Sequence, residues 1–334
     1  MSANRFGRTG CGFDYPWRMI ETRIASTRLA TRRLRRLTLD PQAHPRAQPH
    51  LSAASGLVCV NGRAYVISDD EHHLAVFRDV ACAGELHRLL PGDLPHGKSA
   101  RKRLKPDLET LFEMPASPDW PASPAAGAAT LIALGSGSLP NRNIGVVVAL
   151  DAAGSVGRDI PAFDLRPLYE PLRKTLGSIN IEGAMVLGDE FVLLNRGVAG
   201  RSDNAVARYR RVDLANVIAG RRAAVKPASI RRFALGALDG VPLGFTDAAA
   251  LPGGGWVFSA VAEDTTDSVA DGRCVGSVLG VVAPQGGVVT LRRLTTPDKV
   301  EGIALRVAGR HIDICMVTDA DDPTRASSLR LARL

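Results

Sequence analysis

Glu182-Gly183-Ala184-Met185-Val186-Leu187-Gly188-Asp189-Glu190-Phe191-Val192-Leu193-Leu194-Asn195 is the stretch that decides the fold. An acidic residue and a glycine open an apolar run, Gly188-Asp189 turns the chain, and a second apolar run follows from Phe191 to Leu194. Two short apolar runs around a Gly-containing turn read as a β-hairpin.

Outward from this stretch the same opening recurs at Ser55-Gly56-Leu57, Asp107-Leu108-Glu109, Asp247-Ala248-Ala249 and Glu301-Gly302-Ile303. With Ser55, Glu109, Glu182, Asp247 and Glu301 as anchors, the spacings are 54, 73, 65 and 54 residues. A turn follows most anchors, at Asn61-Gly62, Gly188-Asp189, Gly253-Gly254-Gly255 and Gly309. Second strands are then expected at Ala64 to Ile67, Phe191 to Leu194, Trp256 to Phe258 and Ile312 to Val317, and third strands at Leu74 to Phe77, Ile144 to Leu150, Val206 to Tyr209 and Val278 to Val282. Fourth strands are expected at Glu85 to Leu90, Phe163 to Leu165, Ile230 to Leu235 and Val288 to Leu291. The second unit carries a Pro/Ala-rich insertion from Pro115 to Gly127, which suits an exposed loop.

Four short strands per unit, repeated at long period, define an all-β, five-bladed β-propeller. The fifth unit supplies only three strands before Leu334, the last from Ser328. Arg33 to Leu39 has strand character and nothing local to pair with, so it is expected to close the ring as the missing strand and hide two open edges. Splitting the long second or third unit gives six blades, the alternative count. Residues 33–334 then form one propeller domain, and residues 1–32 a basic tail outside it.

The net charge of +8 belongs mostly to that end: residues 1–50 hold ten arginines against three acids. A surface that tracks phosphate backbones must be spread over the folded domain, so no nucleic-acid partner is expected. No stretch reaches the ~18 apolar residues of a membrane span and no secretory apolar core opens the chain, which points to the cytoplasm and to no membrane partner. Five cysteines without CxxC spacing exclude a zinc finger or disulfide framework, and Cys59 and Cys315 are read as core thiols.

Blade topology fixes which residues share a face. Glu109, Glu182, Asp247 and Glu301 are expected around one tunnel mouth, beside the loops that join second to third strands. Converging carboxylates repel and lose solvation, so the arrangement needs a compensating charge, and calcium with oxygen ligands is the candidate cofactor; the other reading is that these residues cap strands, bond neighbouring backbone amides and keep the tunnel wet. Asn195, Arg196, Arg201, Arg142 and Arg325 lie in the same loops and suit a small anionic ligand. His72 and His73 follow three acids in the first loop and are the candidate catalytic bases. No nucleophile elbow, P-loop, zinc-protease or dinucleotide motif is present.

At Asp107-Leu108-Glu109, Glu182-Gly183-Ala184 and Glu301-Gly302-Ile303 the chain resembles bacterial propellers of the phytase-like, esterase-like group and their uncharacterised relatives, which repeat an acidic Glu-Gly-apolar signature at blade starts. Ser55 and Asp247 stand where that pattern has Glu. The resemblance implies a propeller of calcium-dependent hydrolase ancestry. A metal-dependent phosphoesterase or lactonase is one expectation, with Glu182 and Glu301 as ligands. A non-catalytic scaffold for a protein or glycan partner is the other.

Overall fold

A computed structural model describes residues 20–115, 128–197, 203–265 and 272–334. Three strands precede the first blade: β1 (Ile20–Glu21), β2 (Ala25–Leu29) and β3 (Thr31–Arg36). Blade one is β4 (Ala54–Val60), β5 (Arg63–Ser68), β6 (His73–Phe77) and β7 (Glu85–Arg88). Helix α1 (Lys98–Leu104) leads to blade two, β8 (Leu108–Met114), β9 (Ala129–Gly135), β10 (Ile144–Leu150) and β11 (Ala162–Asp164). After α2 (Arg166–Leu176), blade three is β12 (Ile181–Leu187), β13 (Glu190–Asn195), β14 (Asn204–Arg210) and, past α3 (Arg211–Ile218), β15 (Ser229–Ala234). A short β16 (Ala237–Leu238) enters blade four, β17 (Val241–Ala250), β18 (Trp256–Asp264), β19 (Arg273–Val282) and β20 (Val288–Leu294). Blade five is β21 (Lys299–Ala308), β22 (His311–Asp319) and β23 (Ser328–Arg333), with β3 as its outer strand.

The chain is a five-bladed β-propeller, and β3 pairs antiparallel with β23 to close it, as the unpaired Arg33–Leu39 run predicts. Two further strands lie inside the span read as a tail. β1 adds in parallel to β15, and β2 in parallel to β20. The N-terminal segment thus runs along the outer edges of blades three, four and five. These strands have no hairpin partner beside them in sequence, so local pattern alone does not reveal them.

Each blade is a sheet buried on both faces, because successive side chains point to opposite sides and each side meets a neighbouring blade. Five apolar cores result, one per seam. Leu57 and Val317 lie in the seam between blades one and five, Val58 and Leu131 between one and two, and Phe191 and Phe112 between three and two. Trp256 and Phe233 mark the seam between blades four and three, and Val257 and Ile314 that between four and five. Helix α2 buries Leu168, Tyr169, Leu172 and Leu176 over the seam between blades two and three. No helix among the described residues is long and apolar enough to cross a membrane. The insertion beyond Pro115 and Arg201 lie outside the described residues.

The anchors coincide with a repeated backbone irregularity. The register of each inner strand slips by one residue against its hairpin partner, between Ala54 and Gly56, Leu108 and Thr110, Ile181 and Gly183, Phe245 and Asp247, and Val300 and Gly302. A bulge of this kind re-aims the extra side chain. The bulged residues are Ser55, Glu109, Glu182, Thr246 and Glu301. The residue after the bulge faces the next blade at close range. A Cβ on Gly302 would lie 2.8 Å from Gly56 C and Leu57 N, and one on Gly183 would lie 3.0 Å from Asp247 Cα. The Glu-Gly pair is therefore a bulge followed by a close approach of two backbones.

Candidate functional site

The bulges and the loops between second and third strands enclose a cavity of about 190 Å³ at one mouth of the tunnel. Every blade reaches it from the end of its second strand or the loop that follows, through Asp69 and Asp70, Arg142, Arg196, Glu263, and Asp319 and Asp321. Ser55, Glu109, Glu182 and Glu301 line it from the bulges. So do the residues two positions earlier, Ala53, Asp107, Asn180, Gly244 and Lys299. Period-two alternation puts these residues on the bulge side of each inner strand.

Asp247 is not among them, which corrects the fourth anchor. In blade four the bulge is Thr246, one residue earlier, and a one-residue slip turns a strand side chain to the other face. Asp247 instead accepts hydrogen bonds from Ile303 N at 2.7 Å and Ala248 N at 2.7 Å, tying blade four to blade five. Thr246 Oγ1 donates to Val300 O at 2.7 Å, as Ser55 Oγ donates to Leu108 O at 2.6 Å. Where the bulge is not Glu, its hydroxyl pins the next blade.

The charge that the carboxylates need comes from the chain itself. Lys105 Nζ contacts Asp69 Oδ2 and lies 3.0 Å from Asp107 Oδ1 and 3.5 Å from Asp70 Oδ1. Arg142, fully buried, donates to Asp107 Oδ2 at 2.7 Å and Ser138 Oγ at 2.8 Å. Arg196 donates to Glu263 at 2.5 Å and stands 3.6 Å from Glu182, which accepts from Asn180 Nδ2 at 2.5 Å. Lys299 Nζ lies 2.7 Å from Asp321, 3.2 Å from Glu301 and 3.7 Å from Glu263. Lys105 and Lys299 escape a reading that begins at the anchors, yet their place just upstream of Glu109 and Glu301 is visible in the sequence.

Burial and these partners split the carboxyl groups into two kinds. Burial pushes Glu301 up to about 8 against the pull of Lys299. Burial likewise lifts Asp319 to about 7, Glu182 above the usual range and Glu109 well above it. Glu263 stays below it: burial opposes ionisation, but Lys299, Arg196 and the Gly272 amide outweigh it. Asp107 is also held low, by Lys105, Arg142 and the Ser136 hydroxyl against burial. The second oxygen of Glu301, Oε2, is buried without a hydrogen-bond partner among the described residues. Asp69, Asp107 and Glu109 each present an oxygen, all within 4.8 Å of one another, forming an acidic triad.

Several expected residues take other places. His72 and His73 are both outside the cavity lining. His72 Nδ1 meets Gly92 O at 3.1 Å, and His73 is buried at the start of β6 with its pKa lowered to about 4, chiefly by burial. His96 is the histidine at the mouth. Asn195 is structural: its Oδ1 accepts from Asn180 N at 2.8 Å and its Nδ2 donates to Arg196 O. Arg325 is exposed and away from the cavity, whereas Arg142 and Arg196 line it.

Residues 50–334 match the model of DUF6929, a family of unknown function, and the chain belongs to that family. No curated protein matches it. Among solved structures it is similar to regucalcin from Agrobacterium tumefaciens str. C58, described as a calcium-binding protein, at 10% identity over 92% of this chain and 97% of that one, with a TM-score of 0.44. It is similar to the GH43_1 enzyme from Xanthomonas citri at 11% identity over 90% of each chain, with a TM-score of 0.45. At this distance no chemistry is carried over from either.

Proposed function

We propose that this propeller is a hydrolase of a small anionic ester, phosphoester or lactone, bound at the acidic tunnel mouth. The observation that carries the reading is the pairing of Glu301 and Glu263 across one ammonium group. Lys299 touches both, one carboxyl is held protonated near neutrality and the other ionised, and Glu301 Oε2 has no partner of its own. Environments that push two carboxyl pKa values apart assign the acid and the base. Glu263 takes the proton of the attacking water, and Glu301 gives its proton to the leaving oxygen. Lys299 and Arg196 stabilise the charge that develops, and Arg142, held by Asp107, lines the same cavity.

A panel of lactones, phosphomonoesters and carboxylate-bearing esters tests this, with Glu301→Gln and Glu263→Gln beside the wild type. The reading expects hydrolysis of at least one class and a loss of 10²-fold or more in kcat for each variant. No turnover by the wild-type protein, with or without calcium, sinks it in favour of a non-catalytic scaffold for a protein or glycan.

The acidic triad supports a second reading, in which calcium is bound. Oxygens of Asp69, Asp107 and Glu109 have spacing compatible with a cation that takes oxygen ligands at about 2.3–2.6 Å. Lys105 already reaches two of those carboxylates, so the ion and the ammonium compete for one place. Melting in EDTA, calcium and magnesium measures that competition, because an ion bound only to the native state raises the midpoint.

A further inference from the structure

The seam between blades one and five contains a pair of thiols. Along β4, Leu57 faces blade five and Val58 faces blade two, so alternation returns Cys59 to the blade-five side. Along β22, Ile314 and Met316 face blade four, whereas Cys315 and Val317 pack into the seam with blade one. The two cysteines thus approach one seam from its opposite walls. Each has an alanine as its cross-strand partner, Ala64 opposite Cys59 and Ala304 opposite Cys315. Strand β22 packs against β4 across this seam, and both cysteines are free. Neither is the sealed core residue that an apolar run suggests, since Cys59 is exposed and Cys315 half-buried.

We propose that Cys59 and Cys315 form a reversible disulfide that fastens blade one to blade five when the protein meets a peroxide. Thiolates, not thiols, react with peroxides, and accessibility decides which do. The neighbouring Cys59 thiol brings Cys315 down to about 7 despite burial and Asp313, with Arg306 and Arg32 adding to the effect. The Cys315 thiolate attacks one peroxide oxygen, the O–O bond breaks, and with one proton a sulfenic acid and a water are formed. The Cys59 sulfur then attacks the sulfenic sulfur and loses its proton, the S–O bond breaks, and a second water leaves. Two thiols are oxidised by two electrons and one peroxide is reduced. The bond would enclose nearly all of the ring, where closure otherwise rests on the β23–β3 ladder and side-chain packing. A covalent closure of so long a loop restricts the unfolded chain.

The test uses the full chain with Cys11→Ser, Cys82→Ser and Cys274→Ser, alone and combined with Cys59→Ser. After hydrogen peroxide and thiol blocking, peptide mass mapping should find one peptide linking Cys59 to Cys315 in a monomeric protein. Its melting midpoint should rise by several degrees, return on dithiothreitol, and stay unchanged in the Cys59→Ser variant. The same mapping on the wild-type chain gives an independent readout if the multiple variant folds poorly. Peroxide-treated protein in which both thiols remain free, or Cys315 is over-oxidised with no linked peptide, overturns the proposal.

Discussion

Lys299 and Glu301 stand two residues apart on β21, and Lys299 Nζ lies 3.2 Å from Glu301 Oε1. The same ammonium holds Glu263 and Asp321, so one lysine neutralises carboxylates from blades four and five. Removing one partner of a buried pair leaves the other charge without compensation, which costs more than the pair itself contributes.

Lys299→Met is therefore expected to destabilise the protein by about 3–5 kcal/mol in urea unfolding. Lys299→Met combined with Glu263→Gln should cost less than the two single changes added together, because the second change removes the ionised carboxylate that the first strands. Additive losses would show that the contact carries no coupling.

The protonation of Glu301 sets the sign of a pH effect. Its pKa rises from 4.5 in the unfolded chain to about 8 in the folded one, so the native state holds the proton more tightly. This contribution is full below pH 4.5 and is lost as the pH rises toward 8. The wild type should thus lose more stability than Glu301→Gln between pH 5 and 8, read as the difference between their urea midpoints at each pH. Parallel curves would place the Glu301 pKa near its ordinary value.

Lys105→Met removes the ammonium from the oxygens of Asp69 and Asp107 and leaves the acidic triad open. Calcium should raise the melting midpoint of this variant more than that of the wild type, and Asp107→Asn in the same background should abolish the gain. An equal rise in both proteins would locate the ion elsewhere.

Much of the ring is legible in the sequence itself. Ile144 to Leu150 matches β10 residue for residue, and the closing role of Arg33 to Leu39 follows from counting strands in the last unit. The site was half legible. Glu109, Glu182 and Glu301 announce themselves because a bulge followed by a close backbone approach leaves a Glu-Gly or Glu-small signature. Asp247 misled for the same reason, since Thr246 fills the bulge and an acidic residue sits one step further. The cations are less legible: Lys105 precedes β8 and Lys299 opens β21, and only the period-two geometry of a strand reveals that Lys299 shares the face of Glu301. Histidines next to acids looked reactive, but the direction of the chain after Glu71 carries His73 into the blade.

Gly302→Ala tests the backbone approach directly. The added methyl would lie 2.8 Å from main-chain atoms of Gly56 and Leu57, which cannot rotate away. Overpacking of this kind costs about 1–3 kcal/mol, so the variant should unfold at lower urea concentration. Gly309→Ala, at a turn with open space around the new methyl but a left-handed backbone, should cost about 1 kcal/mol through backbone strain alone.

Deleting residues 1–36 removes β3 and exposes the ladder edge of β23, whereas deleting residues 1–30 keeps it. The longer deletion should elute as aggregates on size exclusion, and the shorter one as a folded species with a lower midpoint. Equal behaviour of the two would assign closure to packing instead of the ladder.

The pairing of β3 with β23 also orders events on the ribosome. Residues 31–36 emerge before any of the five blades and can find their partner only after residues 328–333 have been made. Four blades are free to assemble as they appear, with β1 and β2 taking their places on blades three and four, while β3 waits. A nascent chain stalled before β23 thus carries two unsatisfied edges, and closing the ring is a single late event that joins a strand made before the blades to one made after them.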